Sequence, residues 1–313
     1  MQITEVDWSD QEAVRRLTAV TNAARSVDSP WLHPLTEHEC VGELRWGWDG
    51  QPAIGFLASV DGLDVGGARY EASTYDNLHL AWVEVEIVPA CRRRGHGTRL
   101  LAHLVERARA EGRTTVGASA WDAAGPAAFA ARHGFEQRSV EVHRRQYVAE
   151  LDRAALDALW TAARSAAADY ELLRWPPRTP AEGLIEMAAL TAAINDAPND
   201  ELDIEDEVFT PERIVAYETA WAERGHRLHR VVARHRGTGE LAGQSVVAVD
   251  GQRSHLSEQH DTSVRREHRG HRLGLLLKLE MLRWLAEDEP QVREIDTWNA
   301  ESNAHMIGVN EAL

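Results

Sequence analysis

The chain has almost no lysine. Lys278 stands alone among 34 basic residues in a protein of 313, and all the others are arginine. Arginine suits phosphate because its planar fork makes paired hydrogen bonds, but the bias runs through the whole chain and marks no single site. Cysteine is scarce as well. Cys40 and Cys91 are too few for a disulfide framework and match no zinc spacing. Long apolar runs are missing, so no segment approaches the ~20 residues of a membrane-spanning helix. The start, Met1-Gln2-Ile3-Thr4-Glu5, lacks the basic stretch and apolar core of a secretory signal. The expectation is a cytoplasmic protein, monomer or homodimer, with no metal and no membrane partner. Positive charge is in deficit too. A net charge of −16 excludes the basic footprint of a general nucleic-acid binder. It is compatible with a cationic acceptor such as a small-molecule amine, since an acidic cleft concentrates cations; its plainer role is solubility.

What is present is a repeat. Residues 87–101 read I-V-P-A-C-R-R-R-G-H-G-T-R-L-L, and residues 262–277 read T-S-V-R-R-E-H-R-G-H-R-L-G-L-L-L. Each is the end of an apolar strand, a basic loop with glycine, and the start of an apolar helix. Matching Gly95 with Gly270 gives an offset of 175 residues. Main-chain amides gathered at a helix N-terminus form an anion site, so two domains are expected, each shaped for a phosphorylated ligand.

Periodicity and turn signals fill in the rest. In the first copy they predict a strand at 2–6 and helices at 11–26 and 37–46. Strands follow at 53–60, 65–72 and 78–88, then a helix at 96–111, a strand at 114–120, a helix at 124–133 and a long final strand at 135–148. In the second copy they predict strands at 170–175, 228–235, 241–249, 254–264 and 292–298, with helices at 181–195, 211–224, 273–287 and 303–313. This is a mixed α/β arrangement with an N-terminal domain at 1–150, a helical connector at 151–168 and a C-terminal domain at 169–313. The second copy has no strand after its last helix. Either the chain is cut short or its second sheet lacks that strand.

At this point the residues resemble the GCN5-related N-acetyltransferases, the GNAT superfamily. The family's cofactor motif is Gln/Arg-x-x-Gly-x-Gly/Ala after a strand, and Arg92-Arg93-Arg94-Gly95-His96-Gly97 fits it, with Phe129 and Gly134-Phe135 following. The second copy, read as Glu267-His268-Arg269-Gly270-His271-Arg272, departs at its first and last positions. The whole chain is similar to the tandem GNAT proteins of actinobacteria, a group that includes mycothiol synthase. The resemblance implies two GNAT-like domains, each a mixed, mostly antiparallel sheet flanked by helices, and acetyl-CoA as cofactor. It implies phosphate contacts at Arg92, Arg93, Arg94, Gly95, His96, Gly97 and Thr98, and at Arg269, Gly270, His271, Leu273 and Gly274. It puts the pantetheine arm beside Ile87 and Val88, or Thr262 and Val264. Arg272 either blocks the second loop or reaches the phosphate itself. The plain alternative for both loops is a glycine turn with solvated arginines.

Transfer to an amine needs a base to take the amine's proton and an acid for the departing thiolate. Strand alternation puts Glu84 and Glu86 on one face of the first strand, and Glu258, His260 and Thr262 on one face of the second. Parity with the loop glycine selects Glu258 and His260. It rejects Glu84 and Glu86 unless a bulge shifts the register, and it leaves Asp261 as a further alternative. The family's acid is a tyrosine four residues before Gly-Phe; here those positions are Ala130 and Asn310. The expected function is transfer of an acetyl group from acetyl-CoA to a primary amine of a small molecule. The alternatives are an acyl-CoA-binding sensor or scaffold without catalysis, and a transferase using an aminoacyl or longer acyl donor.

Overall fold

Alternating apolar residues in the central strands decide which helices cover which face. The computed structural model describes residues 1–313, and the chain forms two units, Met1–Glu136 and Gln137–Leu313. The first contains β1 (Gln2–Val6), α1 (Gln11–Asp28), α2 (Glu37–Arg45), β2 (Ile54–Val60), β3 (Leu63–Glu71), β4 (Leu80–Ile87), α3 (His96–Ala110), β5 (Thr115–Gly117) and α4 (Ala124–Arg132). Its sheet has the order β1-β2-β3-β4-β5, antiparallel except for β4 with β5. Leu57 packs with Val14, Leu17, Val20 and Leu44 under α1 and α2. Its neighbours Phe56 and Ala58 pack with Leu100, Leu101 and Leu104 of α3 on the other face. Asp10 caps α1 by accepting from the amides of Glu12 and Ala13. Thr36 and Glu39 form a reciprocal capping box on α2. Caps of this kind contribute ~1 kcal/mol each.

The second unit contains β6 (Glu141–Tyr147), α5 (Arg153–Ala166), β7 (Tyr170–Trp175), α6 (Leu184–Thr191), α7 (Pro211–Glu223), β8 (Arg227–His235), β9 (Leu241–Val249), β10 (Leu256–Val264), α8 (Leu273–Asp288), β11 (Glu294–Ala300) and α9 (Ala304–Glu311). Its sheet order is β6-β11-β10-β9-β8-β7. The leucines of α8 and the alanines of α5 cover one face through Val231, Ala233, Val247 and Val249. Met187, Leu190 and Ile214 of α6 and α7 cover Val232 on the other, where Trp221 covers Val246 and Ala248.

The first sheet does not hold the strand expected at its end. β6 pairs antiparallel with β11, from Tyr147 opposite Glu294 to Glu141 opposite Ala300, and so fills the edge of the second sheet that the sequence left open. The reason is the length of the available edge: β5 offers three residues, whereas β11 offers seven. The segment expected as a connector likewise joins the second unit, with Ala163 and Ala167 of this region fully buried against α8. The division therefore falls after Glu136 instead of at 150.

Candidate functional site

The two basic loops repeat the same succession of features, and they do so at an offset of 177. In the first unit the strand end Ile87 faces Gly66, a 3-10 turn covers Pro89–Cys91, and a left-handed Gly95 (φ +82°) caps α3. In the second, Val264 faces Gly243, a 3-10 turn covers Arg266–His268, and a left-handed Arg272 (φ +55°) caps α8. The matching pairs are thus Ile87 with Val264, Arg92 with Arg269, Gly95 with Arg272 and Gly97 with Gly274. The motif of the second copy is Arg269-Gly270-His271-Arg272-Leu273-Gly274, two residues later than the glycine match suggested. It keeps the leading Arg and the final Gly. Only the middle Gly is replaced, by a residue that must bear the left-handed conformation with a side chain.

The leading arginines hold the loops together. Arg92 Nε donates to the Ile87 carbonyl at 3.0 Å while its guanidinium grips Asp28 at 2.6 and 2.8 Å. Arg269 Nε donates to the Val264 carbonyl at 3.1 Å and grips Asp196 at 2.7 Å. Both therefore serve as latches within their loops. Leu273 is corrected: its side chain is buried in the core, so only its main chain belongs to the loop. The Thr98 hydroxyl is bonded to His133 at 3.1 Å. The exposed guanidinium groups of Arg93, Arg94 and Arg272 make no ion pair within the chain. No atom lies within 4 Å of where a Cβ would stand on Gly95 or Gly274. A Cβ on Gly97 would come within 3.3 Å of Phe129.

Both central strands part from their parallel neighbours. β4 pairs with β5 only from Leu80 to Trp82, and β10 with β11 only from Leu256 to Glu258. Past those points the strand's main chain lies open on one side, at residues 83–87 and 259–264. Ile87, Thr262 and Val264 lie on these open stretches, and Val88 follows the first.

The strands differ in one feature. β10 carries a bulge between Gln259 and Thr262; β4 has none. The bulge moves Thr262 to the face of Gln259, where its hydroxyl meets that of Ser245 at 2.9 Å, so it does not share a face with Glu258 and His260 as expected. Asp261 instead joins those two. The Tyr217 hydroxyl on α7 is 2.6 Å from His260 Nδ1, and the charges of Asp261 and Glu258 both act on Tyr217. Trp221 lies against His260, ring centroids 4.3 Å apart. These groups reach solvent only at their edges. Burial drives His260 well below its usual pKa, helped by the charges of His226, Arg224 and Arg230. Burial raises Tyr217 and Asp261, with Arg230 opposing in both. Arg230 is itself engaged by Glu218 at 3.0 Å. Near neutral pH the phenol keeps its proton and the imidazole is neutral, the form that accepts a proton. Tyr217 was invisible to the sequence reading because nothing in a helical pattern says which strand residue, 43 positions away, it will meet.

In the first unit, Glu84 and Glu86 share a face as expected, but they are tied up. Arg69, fully enclosed, pairs with Glu43 at 3.1 Å, Glu84 at 3.0 Å and Glu86 at 3.9 Å. Burial lowers Arg69, and the three carboxylates more than reverse that. Thr21 donates to Glu86 at 2.5 Å. Burial raises Glu86 against the pull of Arg69. This is a structural ion cluster. Trp121 meets Trp31 edge-on at 5.0 Å, and Trp298, 37% exposed, lies against His143 at 4.5 Å.

A strand, an arginine-latched loop with left-handed cap, and a splayed parallel neighbour thus occur twice. Comparison with known proteins gives the arrangement its family. Residues 15–135 match the family model described as Acetyltransferase (GNAT) family. A tandem GNAT protein from the clavulanic acid biosynthesis pathway is similar over 99% of this chain and 93% of its own, with 30% identity and a TM-score of 0.79. The chain is a tandem GNAT protein. Mycothiol acetyltransferase of Geodermatophilus obscurus is 33% identical over 153 residues; that match spans 48% of this chain and 46% of the relative. A glucosamine N-acetyltransferase region of a fungal multi-domain enzyme shares the fold at 15% identity and a TM-score of 0.66. Membership brings acyl transfer as the general chemistry. The GNAT cofactor fits what is present: an unobstructed left-handed Gly95, unpaired guanidinium groups beside it, and an open strand edge for an amide-bearing arm. No group of three or more His, Cys, Asp or Glu side chains is arranged to hold a metal, and no helix is long and apolar enough to cross a membrane.

Proposed function

We propose that the chain transfers an acetyl group from acetyl-CoA to a primary amine of a small molecule, with the chemistry in the second unit. The observation that carries this reading is the Tyr217–His260 pair on the bulged strand. Its neutral imidazole sits beside Glu258 and Asp261, at the point where β10 leaves β11. Bound acetyl-CoA would supply an activated acyl carbon, with the coenzyme A thiolate as leaving group. Gly270, Arg272 and Gly274 would receive its diphosphate, and the open main chain of residues 259–264 its amide arm. The Tyr217 phenol, which keeps its proton, donates to His260 Nδ1, so the relay runs through the pair: the incoming ammonium gives a proton to the Tyr217 oxygen as the phenol's own proton moves to Nδ1, and His260 ends as an imidazolium beside Glu258 and Asp261. Glu258 and Asp261 favour a cationic acceptor.

The first unit supports a second reading for itself: binding of acyl-CoA without transfer. Its loop has glycine at the cap and two exposed arginines without an ion pair, while Glu84 and Glu86 are held by Arg69. Calorimetry with coenzyme A, followed by thiol release over a panel of amines and mass spectrometry of the product, tests both. Heat of binding with turnover, and loss of turnover but not of binding in His260→Gln, is the expected result. No heat from coenzyme A or acetyl-CoA with the fold intact overturns the reading. Binding without turnover on any amine leaves the sensor.

A further inference from the structure

The one lysine of the chain is buried. Lys278 lies on α8 with 9% of its surface exposed, and its Nζ donates to Asn310 Oδ1 of α9 at 2.7 Å. Asn310 in turn donates to Asn299 Oδ1 at 2.6 Å. The pair lines a cavity of about 420 Å³ whose wall includes Gln259 and Thr297. Those two are the first residues past Glu258 and Asp296, the last pair that joins β10 to β11. The cavity therefore sits at the apex of the splay, on the α8 side of the sheet. The fold does not require a lysine there. At the 177-residue offset its counterpart is Leu101, buried in the core of the first unit. Aligning the starts of α4 and α9 makes Ala130 the counterpart of Asn310. One unit has a Lys–Asn pair where the other has Leu and Ala.

Resting on the function proposed above, we infer that Lys278, oriented by Asn310, is the group that protonates the departing sulfur in the second unit. Lys278 gives a proton from Nζ to that sulfur as the C–S bond breaks and its electron pair stays on sulfur. The new C–N bond forms on the acceptor, and neutral Lys278 recovers its proton from solvent. The surroundings support this role. Arg144, Arg145 and Tyr147 of β6, Glu150 and Asp152 ahead of α5, and Glu311 of α9 share the cavity wall. Arg145 is paired with Asp296 at 2.7 Å and Arg144 with Glu311 at 3.5 Å, so neither is an unshared cation. Burial alone lowers Lys278, to about 8, which suits a proton donor working near neutral pH.

The test is the ionisation of coenzyme A bound to the full-length protein, read from thiolate absorbance during a pH titration at saturation. Wild type is compared with Lys278→Leu, which copies the first unit and so should fold, and with Asn310→Ala. The difference between proteins cancels whatever the first unit contributes. Lys278→Leu should raise the apparent pKa of the bound thiol by about one unit or more, with Asn310→Ala shifting it less. The alkaline limb of kcat should disappear in Lys278→Leu. Identical thiol titration in wild type and Lys278→Leu, both saturated, overturns the inference while leaving the function standing. Absence of coenzyme A binding to wild type overturns both.

Discussion

The two units share a loop, a latch and a splayed strand, and they differ in what surrounds that strand. In the first, the carboxylates of the central strand are tied to a buried arginine, and the helix behind it offers Leu101. In the second, a bulge swings His260 and Asp261 to one face, Tyr217 meets His260, and the helix behind offers Lys278. The loops differ less. The first has a left-handed glycine at the cap and a left-handed Arg93, while the second has a left-handed Gly270 and Arg272 at the cap, so each bears one left-handed arginine, a strain of ~1–2 kcal/mol. The units are therefore told apart by the groups around the central strand.

Substitutions that exchange these features test the comparison. The largest effect is expected from His260→Gln, which should lower kcat about 10²–10⁴-fold, while Glu86→Gln in the first unit leaves kcat within a factor of a few. Equal losses in steady-state assays would remove the distinction.

Next is Lys278→Leu as a stability probe. Because the folded pKa of Lys278 lies near 8 and the unfolded value near 10.5, the unfolded chain binds more protons between those values. Wild-type stability therefore rises with pH across that window. Lys278→Leu should gain up to roughly 3 kcal/mol below pH 8, less the lost bond to Asn310, and the gain should shrink as pH approaches 10.5. Denaturant unfolding at pH 7 and pH 10 reads this, and a gain independent of pH would refute it.

A smaller change is expected at Gly97, where a new side chain meets Phe129. Gly97→Leu should weaken coenzyme A binding at the first unit by about 1–3 kcal/mol in calorimetry. The smallest effect belongs to the latches. Asp28→Asn weakens one partly exposed pair, to Arg92, and Asp196→Asn two, to Arg266 and Arg269, each worth no more than ~1 kcal/mol. Their signature should be faster amide exchange in the matching loop. Loss in one loop only would show that the two latches are not equivalent.

Much of this was legible in the sequence. The repeat, the strand–loop–helix motif and the glycine requirement at Gly95 are local, because a left-handed cap and a helix start are set by neighbouring residues. Alternation also puts His260 and Glu258 on one face of their strand. The sequence could not set the register of the repeat. Gly270 looked like the partner of Gly95, yet the backbone gives the left-handed cap to Arg272, because the 3-10 turn and the strand end fix the loop from the other side. Parity likewise failed at Thr262, since a bulge adds one residue without leaving a pattern.

The amino-acid order by itself determined that a strand, a basic glycine loop and an apolar helix start occur twice, because those features need only short-range chemistry. Tertiary structure alone decided which edge β6 would join, since that depends on the length of strand each sheet leaves unpaired. It alone brought Tyr217 to His260 and Asn310 to Lys278, because side chains far apart in sequence acquire a shared environment only once a sheet and its covering helices have packed.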